Sequence, residues 1–168
     1  GALQHQLGRE DEAHKAARRN VDAWSSALRE GPLDAILTTA SGCGTMIKDY
    51  GHLLARDRGY AERATDMSRI ARDIGEFIYE LGLLPPLAWT SLRVAYHSAC
   101  SLEHGQQVGN EPRALLSQAG FTVLEVPEGH ICCGSAGTYN MLQPELSGQL
   151  RDRKLKNIAS VKPDLIAT

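Results

Sequence analysis

Four residues of this sequence carry thiols, Cys43, Cys100, Cys132 and Cys133, and two of them stand side by side in "GHICCGSAGTYN" at 129–140. Neighbouring side chains of an extended segment point to opposite faces, so a packed core has use for one thiol of such a pair, not both. Four cysteines are too few for a disulfide scaffold in a chain of 168 residues. A reducing compartment is the better setting, and there clustered cysteines more often serve metal or redox chemistry. Gly134 and Gly137 follow the pair and permit unusual backbone angles and close approach. Backbone N–H groups of such a turn can hydrogen-bond to sulfur.

Several chemistries fit these residue types. Thiolates hold iron–sulfur clusters, and adjacent cysteines let one turn supply more than one ligand. Zinc accepts thiolate and imidazole, so His97 or His104 can complete a site with Cys100, Cys132 and Cys133, although the spacing matches no common zinc finger. Thiol–disulfide exchange at Cys132-Cys133 is a third option, at the cost of a strained ring. The plain alternative is a free cysteine packed as a small hydrophobe, and it competes most strongly for Cys43. His5, His97 and His104 are candidates for a cysteine-site environment, whereas His14, His52 and His130 read as loop or cap histidines.

The elements that must position these thiols are read from periodicity. Residues 9–30 read as a helix with Val21, Trp24 and Leu28 on one face, ended by Gly31-Pro32. "LDAILTTA" (33–40) reads as a buried strand, and a helix is expected over about Thr45 to Ala55. "DMSRIARDIGEFIYELG" predicts one long helix with a stripe of Met67, Ile70, Ile74, Phe77, Ile78 and Leu81, closed by Gly82. Pro85-Pro86 marks a linker over 85–91. Strands are expected at "LRVAYH" (92–97), "FTVLEVP" (121–127) and "KPDLIAT". Helices are expected at "EPRALLSQAG" and at "PELSGQLRDRKLKNIAS", the latter with Leu146, Leu150, Leu155 and Ile158 on one side. Alternating strands and helices imply an α/β fold whose small, mainly parallel sheets are flanked by helices. In such sheets chemistry gathers at the carboxyl ends of strands. Cys43, Cys100 and the Cys132-Cys133 pair each come after a predicted strand, which suggests three loops aimed at one sheet edge.

Two legs of the chain run in parallel. Gly1 leads through a helix to Asp34 in 33 positions, and Gly134 leads through a helix to Asp164 in 30. Equivalence of the legs divides the chain into a first repeat at 1–84, the linker at 85–91 and a second repeat at 92–168. It also leads us to expect cysteines just before Gly1 and just after Thr168, the chain being a piece of a longer one. A net charge of -2 and a pI near 6.3 leave no basic footprint for nucleic acid. No apolar run reaches membrane-spanning length and no signal-peptide pattern is visible, so a cytoplasmic protein is expected. No Gly-x-Gly-x-x-Gly, P-loop or Ser/His/Asp order points to a nucleotide or hydrolase site.

Cys100, 31 intervening residues and then Cys132-Cys133-Gly134 resemble the cysteine-rich CCG domain, found in the cysteine-rich subunit of heterodisulfide reductases and in the iron–sulfur subunits of glycolate- and lactate-oxidising complexes. "GALQHQLG", "ASGCGTMIKDYGHLL", "HICCGSAGTYN" and "LRDRKLKNIASVKPDLIAT" resemble most specifically the iron–sulfur subunits of glycolate oxidase, over essentially the whole chain. The resemblance implies a 4Fe–4S-type iron–sulfur site held by Cys100, Cys132 and Cys133, with Cys43 belonging to the corresponding site of the first repeat. Ala40 and Ser98 stand where fuller versions of the pattern place cysteines. It implies an electron-transfer role, with FAD-containing partner subunits oxidising a 2-hydroxyacid and electrons passing toward a membrane quinone, the complex being peripheral at the inner membrane. The chain alone is then expected not to oxidise glycolate, and purified in air it is expected to carry little cluster. Two other roles keep the same fold: a zinc-bound or metal-free docking module for the flavin subunits, and a heterodisulfide-reductase-like subunit whose cluster cleaves a disulfide.

Overall fold

A computed structural model describes residues 1–82 and 91–168. The linker expected at 85–91 falls almost wholly outside the described residues. The fold mixes helices with two small parallel sheets, and the chain divides into two compact units, Gly1–Ile74 and Gly75–Thr168.

The first unit runs α1 (Ala2–Gln6), α2 (Glu10–Glu30), β1 (Ile36–Thr38), α3 (Ser41–Lys48), α4 (Tyr50–Leu53), α5 (Ala61–Ile70) and β2 (Ala71–Asp73). Three acidic residues, Glu10, Asp11 and Glu12, open α2, where the helix dipole favours negative charge. Its core face is a ladder of Ala13, Ala17 and Val21, all fully buried at four-residue spacing. Trp24 packs against that core and stacks on Tyr50, but Leu28 is 40% exposed, so the inward face turns away from the expected one at the carboxyl end. Small alanines let α2 lie close to Met46, Tyr50, Leu54, Ala64 and Met67. The Tyr50 hydroxyl accepts a hydrogen bond from Asn20 at 2.9 Å, satisfying a polar atom carried into this core.

The long helix expected over 66–82 is broken. Ala71, Arg72 and Asp73 leave the helical path and pair in parallel with Ile36, Leu37 and Thr38, and α6 (Ile74–Glu80) resumes after them. Strand β1 leaves unpaired backbone groups unless another segment joins it, and that tertiary demand outweighs a helical period over three residues. Ala71 and Asp73 are buried by the pairing, while Leu81 at the far end of the expected stripe is 54% exposed.

The second unit contains β3 (Arg93–Tyr96), a π-helical turn (Ser101–Gly105), α7 (Glu111–Gln118), β4 (Thr122–Leu124), α8 (Tyr139–Leu142), α9 (Pro144–Ser160) and β5 (Leu165–Ala167). Its sheet has the order β4-β3-β5, all parallel, with β3 in the middle. Val94, Ala95 and Tyr96 of the central strand are buried, the run expected of a strand covered on both faces. Pro144 begins α9, where its fixed φ suits the first turn. The face α9 buries is Ser147, Lys154 and Ile158, whereas Leu146 and Leu155 of the expected leucine stripe are each 51% exposed.

Candidate cysteine site

Cys100 sits where β3 ends. His97 continues the ladder by donating its N–H to the Ala167 carbonyl at 2.8 Å, and three residues later Cys100 leads into the π-helical turn in right-handed helical geometry. Cys132 and Cys133 sit in the connection after β4. All three thiols are half-buried and belong to the second unit. The Cys100 thiol lies within electrostatic reach of Cys132 and Cys133. Burial pushes its thiol pKa up, and the neighbouring Cys132 and Cys133 sulfurs push it further. The three thiols are neighbours in the second unit, and among the described residues no group of three or more His, Cys, Asp or Glu side chains is arranged to hold a metal ion.

The turn after the pair explains the Cys-Cys-Gly order. Gly134 has φ +87°, a region that side-chain-bearing residues rarely adopt, and its N–H donates to Cys132 Sγ at 3.3 Å. A Cβ there would lie 2.4 Å from the Ser147 carbonyl oxygen. The Ser147 hydroxyl, buried on α9, donates to the Gly134 carbonyl at 2.9 Å. Glycine is thus required both by the backbone angle and by the close approach of α9.

Helix α9 also fixes the stretch ahead of the pair. Lys154 is 3% exposed and donates from Nζ to the carbonyls of Glu128 and Gly129 at 3.1 and 2.9 Å. The Glu128 carboxylate accepts from Arg153 at both oxygens, and from Asn157 at 2.7 Å. These bonds, Arg153 foremost, lower its pKa to about 2. Ser147, Arg153, Lys154 and Asn157 escaped the sequence reading because the leucines of the same helix dominate its hydrophobic pattern. The available signal was the spacing of Ser147, Lys154 and Ile158, seven residues and then four.

Cys43 is placed differently. It lies in the first turn of α3, which starts at Ser41 rather than near Thr45, and it is exposed in the first unit. The strand before it, β1, pairs with β2, whereas Cys100 and the cysteine pair come after strands of the other sheet. The expectation of three loops at one sheet edge is corrected on this point, because the strands divide between two sheets. The histidines join no metal group among the described residues. His5 is paired with Glu10 at 3.1 Å, and His97 and His130 line a cavity beside the cysteine loops. Zinc completed by His97 or His104 has no support in this geometry.

The donor set suits an iron–sulfur cluster. Thiolates are its protein ligands, and a turn N–H on a ligand sulfur is the outer contact such clusters take. Comparison with known proteins agrees with that chemistry. Residues 1–48 and 94–168 match the family described as "CCG: Cysteine-rich domain". The chain is 40% identical over 168 residues to the glycolate oxidase iron-sulfur subunit of Escherichia coli (strain K12), covering all of this chain and 41% of that protein. It is 31% identical over 171 residues to the probable glycolate oxidase iron-sulfur subunit of Bacillus subtilis (strain 168), covering all of this chain and 38% of that protein. Lactate utilization protein A of Bacillus subtilis (strain 168) is 25% identical over 157 residues, 92% of this chain and 63% of that protein. The chain therefore spans about two fifths of the length of the two glycolate oxidase relatives.

Proposed function

From the premise that the chain belongs to the cysteine-rich CCG domain family, we propose that it is the electron-transfer part of an iron–sulfur subunit in a glycolate-oxidising complex. Cys100, Cys132 and Cys133 supply three thiolate ligands in the second unit, and Cys43 supplies one in the first. Residues 1–84 and 92–168 are two CCG-type repeats. The observation that carries the reading is the turn after the cysteine pair, whose glycine N–H already points at the Cys132 sulfur, with Cys100 within electrostatic reach. The names of the Escherichia coli and Bacillus subtilis relatives supply the substrate and the word subunit.

The chain's own residues perform the holding and insulating. Ser147 and Gly134 fix the turn that presents Cys132 and Cys133. The Gly134 N–H stabilises negative charge on the Cys132 sulfur, and a raised Cys100 pKa keeps that thiol protonated until a cation replaces its proton. Cys100, Cys132 and Cys133 would hold the cluster, which would supply one-electron transfer when bound. Oxidation of the 2-hydroxyacid takes place on FAD-containing partner subunits, and electrons leave toward a quinone. The complex works in the cytoplasm, peripheral to the membrane. Among the described residues no helix is long and apolar enough to cross a membrane.

Anaerobic reconstitution with iron and sulfide tests the assignment. About four irons and four sulfides per cluster, with an EPR signal on reduction, are expected. Both should fall when Cys132 or Cys133 is replaced by serine. Stoichiometric zinc instead, or a folded chain that takes up no iron, would sink the assignment.

A further inference from the structure

A groove of about 360 Å³ lies on the first unit, between α2 and the turn that joins α4 to α5. His14 and Arg18 of α2 line it together with Leu53, Leu54, Arg56, Asp57 and Arg58. Three arginines therefore meet one aspartate here, in a chain whose net charge is -2. No cysteine lines the groove, so its chemistry is separate from cluster ligation.

Internal bonds consume the acids of this region. One Asp57 oxygen accepts from Arg18 Nε at 2.6 Å, and the other accepts from the Gly59 N–H at 3.2 Å. Asp22, one turn beyond Arg18 on α2, accepts from the Tyr60 hydroxyl at 2.8 Å and from Arg63 at 2.9 Å. The guanidinium groups of Arg63 and Arg18 lie over the Tyr60 ring at 4.6 and 5.8 Å. These contacts fasten the turn to α2, so the wall stands in place before any ligand arrives. The cations are left over. Among the described residues no hydrogen bond or ion pair engages Arg56 or Arg58, and Arg18 uses only its Nε. Arg63, Arg113 and Arg153, by contrast, each hold a carboxylate. Like charges gathered without a counter-charge repel one another, and an entering anion relieves that repulsion.

The excess of guanidinium over carboxylate selects the kind of anion. A carboxylate fills one guanidinium fork. A phosphate monoester carries nearly two charges at neutral pH and three terminal oxygens, enough for donors from more than one arginine. The groove holds about as much as twelve liquid waters occupy, more than a phosphate group needs. Half-buried Leu53 gives the remainder an apolar side.

We infer that this groove binds a phosphate monoester, its oxygens on the Nη groups of Arg18 and on the guanidinium groups of Arg56 and Arg58, and its organic body against Leu53. Binding is an equilibrium, with no bond made or broken. A soluble compound and a phosphatidic acid headgroup both carry this group.

The test uses the 168-residue chain with glycerol 1-phosphate as probe and acetate at matched ionic strength as control. The monoester in the millimolar range should raise the thermal midpoint saturably and give a calorimetric isotherm, while acetate should bind at least tenfold more weakly. A chain carrying Arg56→Gln and Arg58→Gln together should keep its unliganded midpoint or raise it, because neither side chain holds a partner, yet bind the monoester at least tenfold more weakly. Lys156→Gln removes an exposed charge of the second unit and should bind as the parent does. Cosedimentation with phosphatidylcholine vesicles, with and without phosphatidic acid, assigns the source. Retention that requires both phosphatidic acid and the two arginines places the monoester on a lipid, and binding of the soluble probe without retention places it on a free compound. Absence of saturable binding to either probe would overturn the inference. So would equal binding of acetate, a double variant that binds as the parent does, or an equal loss in Lys156→Gln. Polyglutamate binding more tightly than the monoester would overturn it in favour of an acidic protein partner.

Discussion

Replacing Gly134 by alanine tests the account of the Cys-Cys-Gly turn most directly. The added methyl would sit 2.4 Å from the Ser147 carbonyl oxygen, so helix and turn must separate by roughly half an ångström or more. Alanine at φ +87° costs about 1–2 kcal/mol for the backbone angle alone. Separation weakens the Ser147 hydroxyl bond to the Gly134 carbonyl, worth about 1 kcal/mol. Overpacking adds about 1–3 kcal/mol. Together Gly134→Ala should destabilise the second unit by about 3–6 kcal/mol, a thermal midpoint roughly 10–20 °C lower for a chain of this length. Ser147→Ala loses the hydrogen bond and keeps the carbonyl, so it should cost about 1 kcal/mol and fail to rescue Gly134→Ala. Urea unfolding of the parent, the two single variants and the double variant, read together with amide exchange over 129–147, measures these effects. A Gly134→Ala chain within ~1 kcal/mol of the parent would refute the close-approach argument. Full rescue by Ser147→Ala would refute it equally, because the severest contact is with the Ser147 backbone carbonyl, which alanine keeps.

Two further predictions concern α9. Glu128 has a folded pKa of about 2, lowered from 4.5 by Arg153 and Asn157, so its contribution to stability is present above pH 4.5 and is lost as pH falls toward 2. Glu128→Gln should flatten the acid limb of the stability curve between those pH values and leave the neutral-to-basic limb unchanged; an acid limb identical to the parent's would contradict the pairing. Ile158 is 5% exposed and Leu155 is 51% exposed. Ile158→Ala should therefore cost about 2–4 kcal/mol in urea unfolding, and Leu155→Gln under ~0.5 kcal/mol; a reversed order would show the leucine stripe to be the core face.

Element types were legible where local signals agreed. Pro144 and the charged run after it mark α9 from Pro144 to Ser160, and Gly120 with φ +98° ends the short helix before β4 as its position suggested. Legibility failed where a tertiary partner decided. Nothing within Ala71-Arg72-Asp73 announces a strand, because what makes it one is β1, 35 residues earlier in register. The start of α3 was missed because Gly42 and Gly44 are poor helix formers, and Gly44 is buried in the packed unit. At the candidate site the spacing picked out Cys100, Cys132 and Cys133 as a set, and all three lie half-buried in the second unit. Their support was not: Ser147 and Lys154 look like ordinary surface residues of an amphipathic helix until the turn that they grip is in place.

The strand order β4-β3-β5 has a consequence for how the second unit comes into being. Its central strand at 93–96 finds one neighbour 29 positions later, and the other, at 165–167, some 71 positions later. Arg93 closes that second pairing through its backbone N–H to the Asp164 carboxylate and through its guanidinium to the carbonyls of Val161 and Lys162. Such pairing carries a large loop-closure entropy and slows folding. On a ribosome, where synthesis runs from the amino end, the middle strand of this sheet must wait until β5 emerges. The three cysteines are all synthesised before that moment, so the nascent chain passes through an interval in which its thiols are made but not yet gathered. Until β5 docks, oxidants meet these thiols in an ungathered chain.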